Sequence, residues 1–463
     1  MPRPPKPKPL PHPNIHALGP DFYDPVAPAP FPAAVPRFVN RRWAERVGLG
    51  GWTEAQWVAH LARFEPLPGN LAEPLALRYH GHQFRQYNPD IGDGRGFLFA
   101  QLRDDRGRLL DLATKGSGTT PYSRSADGRL TLKGGMREVL ATEMLEALGV
   151  DTSKSFALFE TGEQLVRGDE PSPTRSAVLT RLSHGHIRIG TFQRLAFFGQ
   201  AANIAKLTRY CLETLYGEAP AADDRVNALR LLDLAAAATA RLAASYLAAG
   251  FVHGVLNSDN INVTGESFDY GPWRFTPFWD ADFTAAYFDH HGLYSFARQP
   301  EAIHWDLAQL GGCLALIGEQ EQLAGILNGW SERFEDALVA ALLERLGVEA
   351  LGGDADRALI GHLLRALESR AATIDQLFFD WRGGRDPGSG KYPSPPFRAL
   401  ARSLEGRSKP LEHPYWSGPG PCSMHIEEVE ALWSAIADTD DWQPFEDKVR
   451  AIRTMGEAMN GNG

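Results

Sequence analysis

Cysteine is nearly missing from this chain. Three occur in 463 residues, Cys211, Cys313 and Cys422, and none forms a C-x-x-C pair. That excludes a disulfide scaffold and a cysteine-rich zinc site, and it fits a reducing compartment, expected here to be the cytoplasm. No run of about 18 apolar residues exists, and the most apolar stretch, Leu231 to Ala249, carries Asp233 and Arg241. No membrane span is therefore expected. The opening Met1-Pro2-Arg3-Pro4-Pro5-Lys6 has no apolar core and does not read as a secretory signal. Excess positive charge is lacking too. With 47 Lys+Arg against 57 Asp+Glu the net charge is −10, which argues against nucleic acid or an anionic membrane as a partner.

What is present supports a large folded body. Hydrophobic residues make up 43% of the chain and aromatics 10%, enough for a sizeable core. The length fits two or three domains or one two-lobed enzyme. Of the first 36 residues 13 are proline, which forbids a continuous helix there. They read as an extended arm that wraps the body or stays mobile. A helical piece follows at Thr53–Arg63.

From residue 90 onward the pattern sharpens. Ile91-Gly92-Asp93-Gly94-Arg95-Gly96 is a glycine-rich loop leading into an apolar strand, Phe97–Leu102. Asp104-Asp105-Arg106-Gly107 signals a hairpin turn, and Leu109–Thr114 returns as a second strand ending at Lys115. Gly134–Leu148 reads as a helix, with apolar residues at steps of three and four and Gly149 as its stop. A strand is expected at Ser176–Leu182. The second half is mostly helical, at Asn227–Ala249, Glu301–Ile317, Glu319–Leu346 and Ala355–Phe378. A loop-rich stretch runs from Val252 to Arg298. Strands and one helix first, then helices, point to an α+β chain of two lobes with a cleft between them.

The loop Gly92-Asp93-Gly94-Arg95 opens a strand rather than a helix, which argues against a Rossmann or Walker loop. Glycines there let backbone amides approach phosphates, or form a plain turn. Lys115 and the helical Glu138 match the lysine–glutamate clamp by which protein kinases position ATP, although both residue types are common on surfaces. Lys115, Arg124, Arg129, Lys133 and Arg137, with only Asp127 against them, form a local positive field that suits a polyphosphate or is simply a solvated face. Arg181 and Arg188 bracket Ser183-His184-Gly185-His186, and guanidinium groups grip phosphate oxygens in a fork.

The strongest local signal is His253-Gly254-Val255-Leu256-Asn257-Ser258-Asp259-Asn260, followed by Asp269-Tyr270-Gly271. Asn260 and Asp269 offer the hard oxygens that Mg2+ prefers. The catalytic aspartate of a kinase lies five residues before its metal asparagine, but here that position is Val255, which accepts no proton. Asp259 is the nearest carboxylate and could serve as base instead. The bland alternative is an Asn/Asp-rich turn. Histidine pairs at His80/His82, His184/His186 and His290/His291 lack an H-E-x-x-H frame, so hydrogen-bonding roles are expected for them rather than zinc. No G-x-S-x-G supports a serine hydrolase.

Taken together these segments resemble the selenoprotein O (SelO) family of protein adenylyltransferases. The resemblance rests on Tyr79-His80-Gly81-His82-Gln83-Phe84, Gly92-Asp93-Gly94-Arg95, Lys115-Gly116-Ser117-Gly118-Thr119-Thr120-Pro121-Tyr122-Ser123-Arg124, Asp127-Gly128-Arg129, Arg137-Glu138, Arg181 to Gly190, His253 to Asn260, Asp269-Tyr270-Gly271-Pro272 and Gln299-Pro300. It implies a bilobal, protein-kinase-like (pseudokinase) α+β fold with a proline-rich N-terminal arm and a helical C-terminal extension. The implied division is an arm and helical extension over 1–70, a kinase-like N-lobe over 71–190 and a helical C-lobe over 191–463. ATP would bind with its phosphates reversed relative to ordinary kinases, so that AMP passes to a Ser, Thr or Tyr hydroxyl of a target protein. The resemblance further implies nucleotide contacts from Gly92, Gly94, Arg95, Lys115, Asp127, Gly128, Arg181, Arg188 and Asp269. Glu138 would orient Lys115, Asp259 would accept the proton, and Asn260 and Asp269 would hold Mg2+, or Mn2+ in its place. The implied partners are ATP and target proteins, with no nucleic acid and no membrane. Two readings stay beside this one: a kinase that transfers the γ-phosphoryl group to a protein or small molecule, and a non-catalytic ATP-binding scaffold. The chain departs from the family where relatives often carry cysteine, at Ala285–Asp289 and near the C-terminus.

Overall fold

The computed structural model describes residues 13–168, 170–388 and 390–461. The opening residues read above for a secretory signal, and the first twelve positions of the proline arm, lie outside the described residues.

An antiparallel sheet organises the first half. Its strands are β1 (Tyr23–Pro25), β2 (Val35–Val39), β3 (Leu75–Leu77), β6 (Leu98–Arg103), β7 (Leu109–Lys115), β8 (Leu130–Thr131), β9 (Lys154–Leu165) and β10 (Thr174–Ser183); β4 (Gly81–Gln83) and β5 (Gln86–Asn88) form a separate hairpin. The spatial order is β1-β3-β6-β7-β10-β9-β2, with β8 on β10. The described part of the proline arm therefore wraps the body and contributes strands at both ends of the sheet. Short strands suit it, because proline cannot donate to a ladder and is confined to edges.

The expected strands at 97–102 and 109–114 are the β6–β7 hairpin, paired from Leu98↔Ala113 to Arg103↔Leu109. That register puts Lys115 at the end of the hairpin remote from its turn. The helix expected at Gly134–Leu148 is α3, and it starts two residues earlier (Leu132–Ala147) because Thr131 caps it, its hydroxyl accepting from the Gly134 N–H at 3.1 Å. One face of the sheet packs on α3. The other is covered by α1 (Arg41–Arg46) and α2 (Glu54–Leu61), with Trp43, Trp57, Phe97, Phe99, Phe156 and Phe159 in a second core.

The second half is helical, as expected, with the helices α4 (Ile189–Phe197), α5 (Ala201–Tyr210), α6 (Asp224–Ala249), α7 (Gln299–Leu314), α8 (Gln320–Asn328) and α9 (Trp330–Leu346). They are followed by α10 (Gly353–Glu368), α11 (Ile374–Trp381), α12 (Pro395–Leu404), α13 (Ile426–Thr439) and α14 (Gln443–Met459). Two expected long helices are each broken in two. The 319–346 pattern divides at Gly329, and the 355–378 pattern divides before Thr373, whose hydroxyl caps α11. Helix α6 is long and apolar enough to cross a membrane by length and composition, but it is mostly buried as the central helix of the molecule. The strands β11 (Phe251–Val252) and β12 (Arg274–Phe275) pair at the base of the loop-rich stretch.

Candidate functional site

A cleft of about 350 Å³ opens where the glycine-rich loop, the end of β7, the end of β10 and the loops after β11 meet. Lys115 is delivered by β7 and Arg181 by β10, which are adjacent strands. Glu138 comes from α3 beneath them. Lys115 and Glu138 are 4% and 1% exposed and form an ion pair, and the same Lys115 Nζ lies 2.6 Å from Asp269 Oδ1. Arg181 Nη1 also reaches that oxygen, at 3.3 Å. Charges this deep require such partners, since leaving one unpaired costs several kcal/mol.

Asp269 is bound into the cationic cluster on a strained backbone, with φ at +64° in a non-glycine residue. Burial alone would push its carboxyl up, but Lys115, Arg181, Arg95 and Arg188 together hold it well below the usual carboxylate range. Arg188 reaches the cleft from the residue before α4. One of its amino groups donates to Asp93 at 3.1 Å and the other to the backbone carbonyl of Asp259 at 3.1 Å. Its guanidinium lies over Tyr79, 4.2 Å from the ring centre, and over Phe268 at 4.9 Å.

Asp259 sits in a short 3-10 turn, Ser258–Asn260, and is 7% exposed. Burial pushes its carboxyl up to about 7, against the opposing pull of Arg188, and Oδ1 has no hydrogen-bond partner among the described residues. Gly190 makes this turn possible. A Cβ there would lie 2.2 Å from the His80 carbonyl and 3.5 Å from the Asp259 Cα, so only glycine lets the hairpin and the turn close together. Other buried polar atoms around the cleft lack partners as well: Arg181 Nε, Arg188 Nε and Glu138 Oε2.

The residues expected from sequence divide into two groups. Gly92, Gly94, Arg95, Lys115, Arg181, Arg188, Asp259 and Asp269 all line the cleft. Glu138 lies behind Lys115. Asn260 follows Asp259 directly, and its side-chain amide donates to the Val255 carbonyl at 3.0 Å. Asp127 and Gly128 are not among the lining residues, although their neighbour Ala126 is. Asp127 is instead paired with Arg167 at 2.9 Å. The local positive field is also partly dispersed: Arg129 pairs with Glu163, Lys133 with Glu430, and Arg137 donates to the Trp273 carbonyl. Arg124 does line the cleft. Of the paired histidines, His80 Nδ1 lies 2.9 Å from the Tyr87 hydroxyl, His82 Nδ1 2.6 Å from Gln193 and His186 Nδ1 3.4 Å from Asp111.

Sequence reasoning assigned no role to Tyr79, Asp93 or Tyr122, which line the same cleft. Asp93 had a signal, as the one acid inside the glycine loop. The two tyrosines stand in motif stretches, but what they do depends on contacts made only in the folded chain.

An open cleft with five lining cations, a low carboxylate and a buried carboxylate poised near neutrality has the layout of an enzyme for phosphorus transfer. Comparison with known proteins agrees. Residues 10–387 match the family model described as protein adenylyltransferase SelO. The chain is 42% identical to the protein nucleotidyltransferase YdiU of Gloeobacter violaceus, over 95% of this chain and 94% of the relative. It is 38% identical to that of Synechocystis sp., over 96% and 97%, and 34% identical to that of a Bradyrhizobium species, over 94% and 91%. The chain belongs to the SelO family of protein adenylyltransferases.

Proposed function

We propose that this chain transfers AMP from ATP to a Ser, Thr or Tyr hydroxyl of target proteins, using the cleft described above. What supports the reading is the convergence of Lys115, Arg181 and Arg188 with Asp259 and Asp269 in one cleft, from distant parts of the chain. The acceptor hydroxyl gives its proton to Asp259 as its oxygen bonds to the α-phosphorus. The bond from that phosphorus to the bridging oxygen breaks, and pyrophosphate leaves with the electron pair. Lys115, Arg181 and Arg188 neutralise charge that develops on the phosphate oxygens, and Glu138 keeps Lys115 aimed. Gly92, Gly94 and Arg95 cover the phosphates, with Asp127 and Gly128 beside Ala126 at the rim.

The donor set fits Mg2+, or Mn2+ in its place. Asp269 is an ionised carboxylate facing the cleft, shared with Lys115 and Arg181, and Asn260 follows the cleft residue Asp259 with its amide nitrogen committed to the Val255 carbonyl and its oxygen free of that bond. Bound there, the ion would supply charge neutralisation to the triphosphate. The same reading implies a two-lobed, kinase-like division near residue 190, with an arm before residue 71. Free Cys211, Cys313 and Cys422 suit a cytoplasmic setting.

The test is incubation with ATP labelled at the α or at the γ phosphate, together with a mixed protein acceptor. Label from the α position alone is the expected result. Label from γ alone would make the chain a kinase, and label from neither would make it a scaffold.

A further inference from the structure

The described arm does more than edge the sheet. Asp24, in β1, accepts a hydrogen bond from the Tyr122 hydroxyl and is held by Arg78, whose Nε donates to Asp24 Oδ2 at 2.8 Å. Arg78 is itself tied to the arm, its N–H donating to the Phe22 carbonyl at 2.9 Å. The Tyr122 ring lies directly under the glycine-rich loop. A Cβ on Gly92 would come within 2.5 Å of the ring, and a Cβ on Gly94 within 2.9 Å of the Tyr122 carbonyl. The segment around Tyr122 is bonded to the same loop on both sides: Thr120 Oγ1 donates to the Asp93 carbonyl at 2.5 Å and Ser123 Oγ donates to the Gly94 carbonyl. Asp93 closes the circuit. Its carboxylate accepts from the Leu77 N–H at 3.0 Å, one residue before Arg78, and binds Arg188 at 3.1 Å.

We infer that Tyr122 and Asp24 are positioning residues for nucleotide binding, through which the N-terminal arm sets the glycine-rich loop and Arg188 at the height a phosphate group requires. This rests on the reading of the cleft as a nucleotide site. The link is a chain of contacts from the arm to a phosphate-facing cation: Asp24 to Tyr122, Tyr122 to the loop, Asp93 to Arg188. Tyr122 has the chemistry for it. Burial first, and then the bond to Asp24, push its phenol up to about 12, so the hydroxyl stays a donor at any working pH. Arg78 first, against the effect of burial, holds Asp24 below its ordinary value as a charged acceptor. A donor to a carboxylate is roughly twice as strong as a neutral pair, so this bond holds the Tyr122 ring firmly beneath the loop.

The variant Tyr122→Phe keeps the ring under Gly92 and removes only the bond to Asp24. Asp24→Asn is the complementary change from the arm side. Both are compared with wild type by ATP affinity in calorimetry, by the KM-against-kcat split for ATP, by amide exchange over residues 91–96, and by unfolding midpoint. The expected result is ATP affinity weakened about tenfold in either variant, KM raised more than kcat is lowered, faster exchange in the loop, and an unfolding transition that stays cooperative with only a modestly lower midpoint. The double variant should fall short of the sum of the two single effects, because both changes act on the Tyr122–Asp24 bond, while Asp24→Asn also weakens the Arg78 pair. Wild-type ATP affinity and loop exchange in both variants would overturn the positioning role while leaving the nucleotide reading intact. A wild-type protein that binds no ATP would overturn the nucleotide reading and this inference with it.

Discussion

Glu266 offers a stability test that the fold sets up in isolation from the cleft chemistry. It is 4% exposed, and among the described residues its carboxylate's one hydrogen bond comes from the His184 N–H, at 2.7 Å to Oε2. Burial first, then the nearby Asp151, push its carboxyl up to about 8 from an ordinary 4.5. The folded chain therefore keeps a proton that the unfolded chain releases near pH 4.5. Between these two values unfolding releases a proton, so stability falls as pH rises, by about 1.4 kcal/mol per pH unit, and levels off above pH 8. From pH 5.5 to 8.5 the integrated loss from this one residue is about 3 kcal/mol. Glu266→Gln keeps an oxygen for the His184 N–H and cannot ionise. Urea unfolding of both proteins across that range should show the variant gaining on wild type by about 3 kcal/mol at the alkaline end, with equal m values. Parallel curves for the two proteins would refute the argument, by showing that Glu266 is ionised in the native state or reached by water.

Three further outcomes follow from the cleft. Asp259→Asn should lower kcat for label transfer about 100-fold or more while ATP affinity in calorimetry stays near native; an unchanged kcat would remove Asp259 as proton acceptor. Glu138→Gln leaves Lys115 paired only with Asp269, so thermal unfolding should register a loss of about 3 kcal/mol and transfer should fall with it; a variant as stable and active as wild type would mean the pair does not hold the lysine. Gly190→Ala forces a methyl into the His80 carbonyl, and denaturant unfolding should show a cost of about 1–3 kcal/mol together with reduced turnover; a neutral result would contradict the tight closure between the hairpin and the Asp259 turn.

The parts of the fold legible in the sequence are those with a local cause. The β6–β7 hairpin carried its own turn residues, and α3 and α6 carried periodic apolar residues and glycine stops at Gly149 and Gly250. Strand β9 escaped notice because much of it is buried on both faces, which erases the alternation that marks a strand. The break between α8 and α9 was hidden because a single glycine inside an apolar-periodic stretch is usually tolerated by a helix. At the site, residues named by chemistry alone, Lys115, Arg181, Arg188, Asp259 and Asp269, do meet in the cleft. Asp127 was grouped with them by motif, but its carboxylate is taken by Arg167, a partner 40 positions away that no local pattern announces. Tyr79 was unreadable for a similar reason: its value lies in the Arg188 guanidinium stacked on its ring, a contact between separate elements.

The most direct test of the central claim is a crystal structure of this protein with Mg2+ and a non-hydrolysable ATP analogue. The account predicts the terminal phosphates held among Lys115, Arg181 and Arg188, with the α-phosphorus facing the Asp259 carboxylate and open to solvent beyond it. An analogue seated with its γ-phosphorus towards Asp259, or bound away from this cleft, would contradict it.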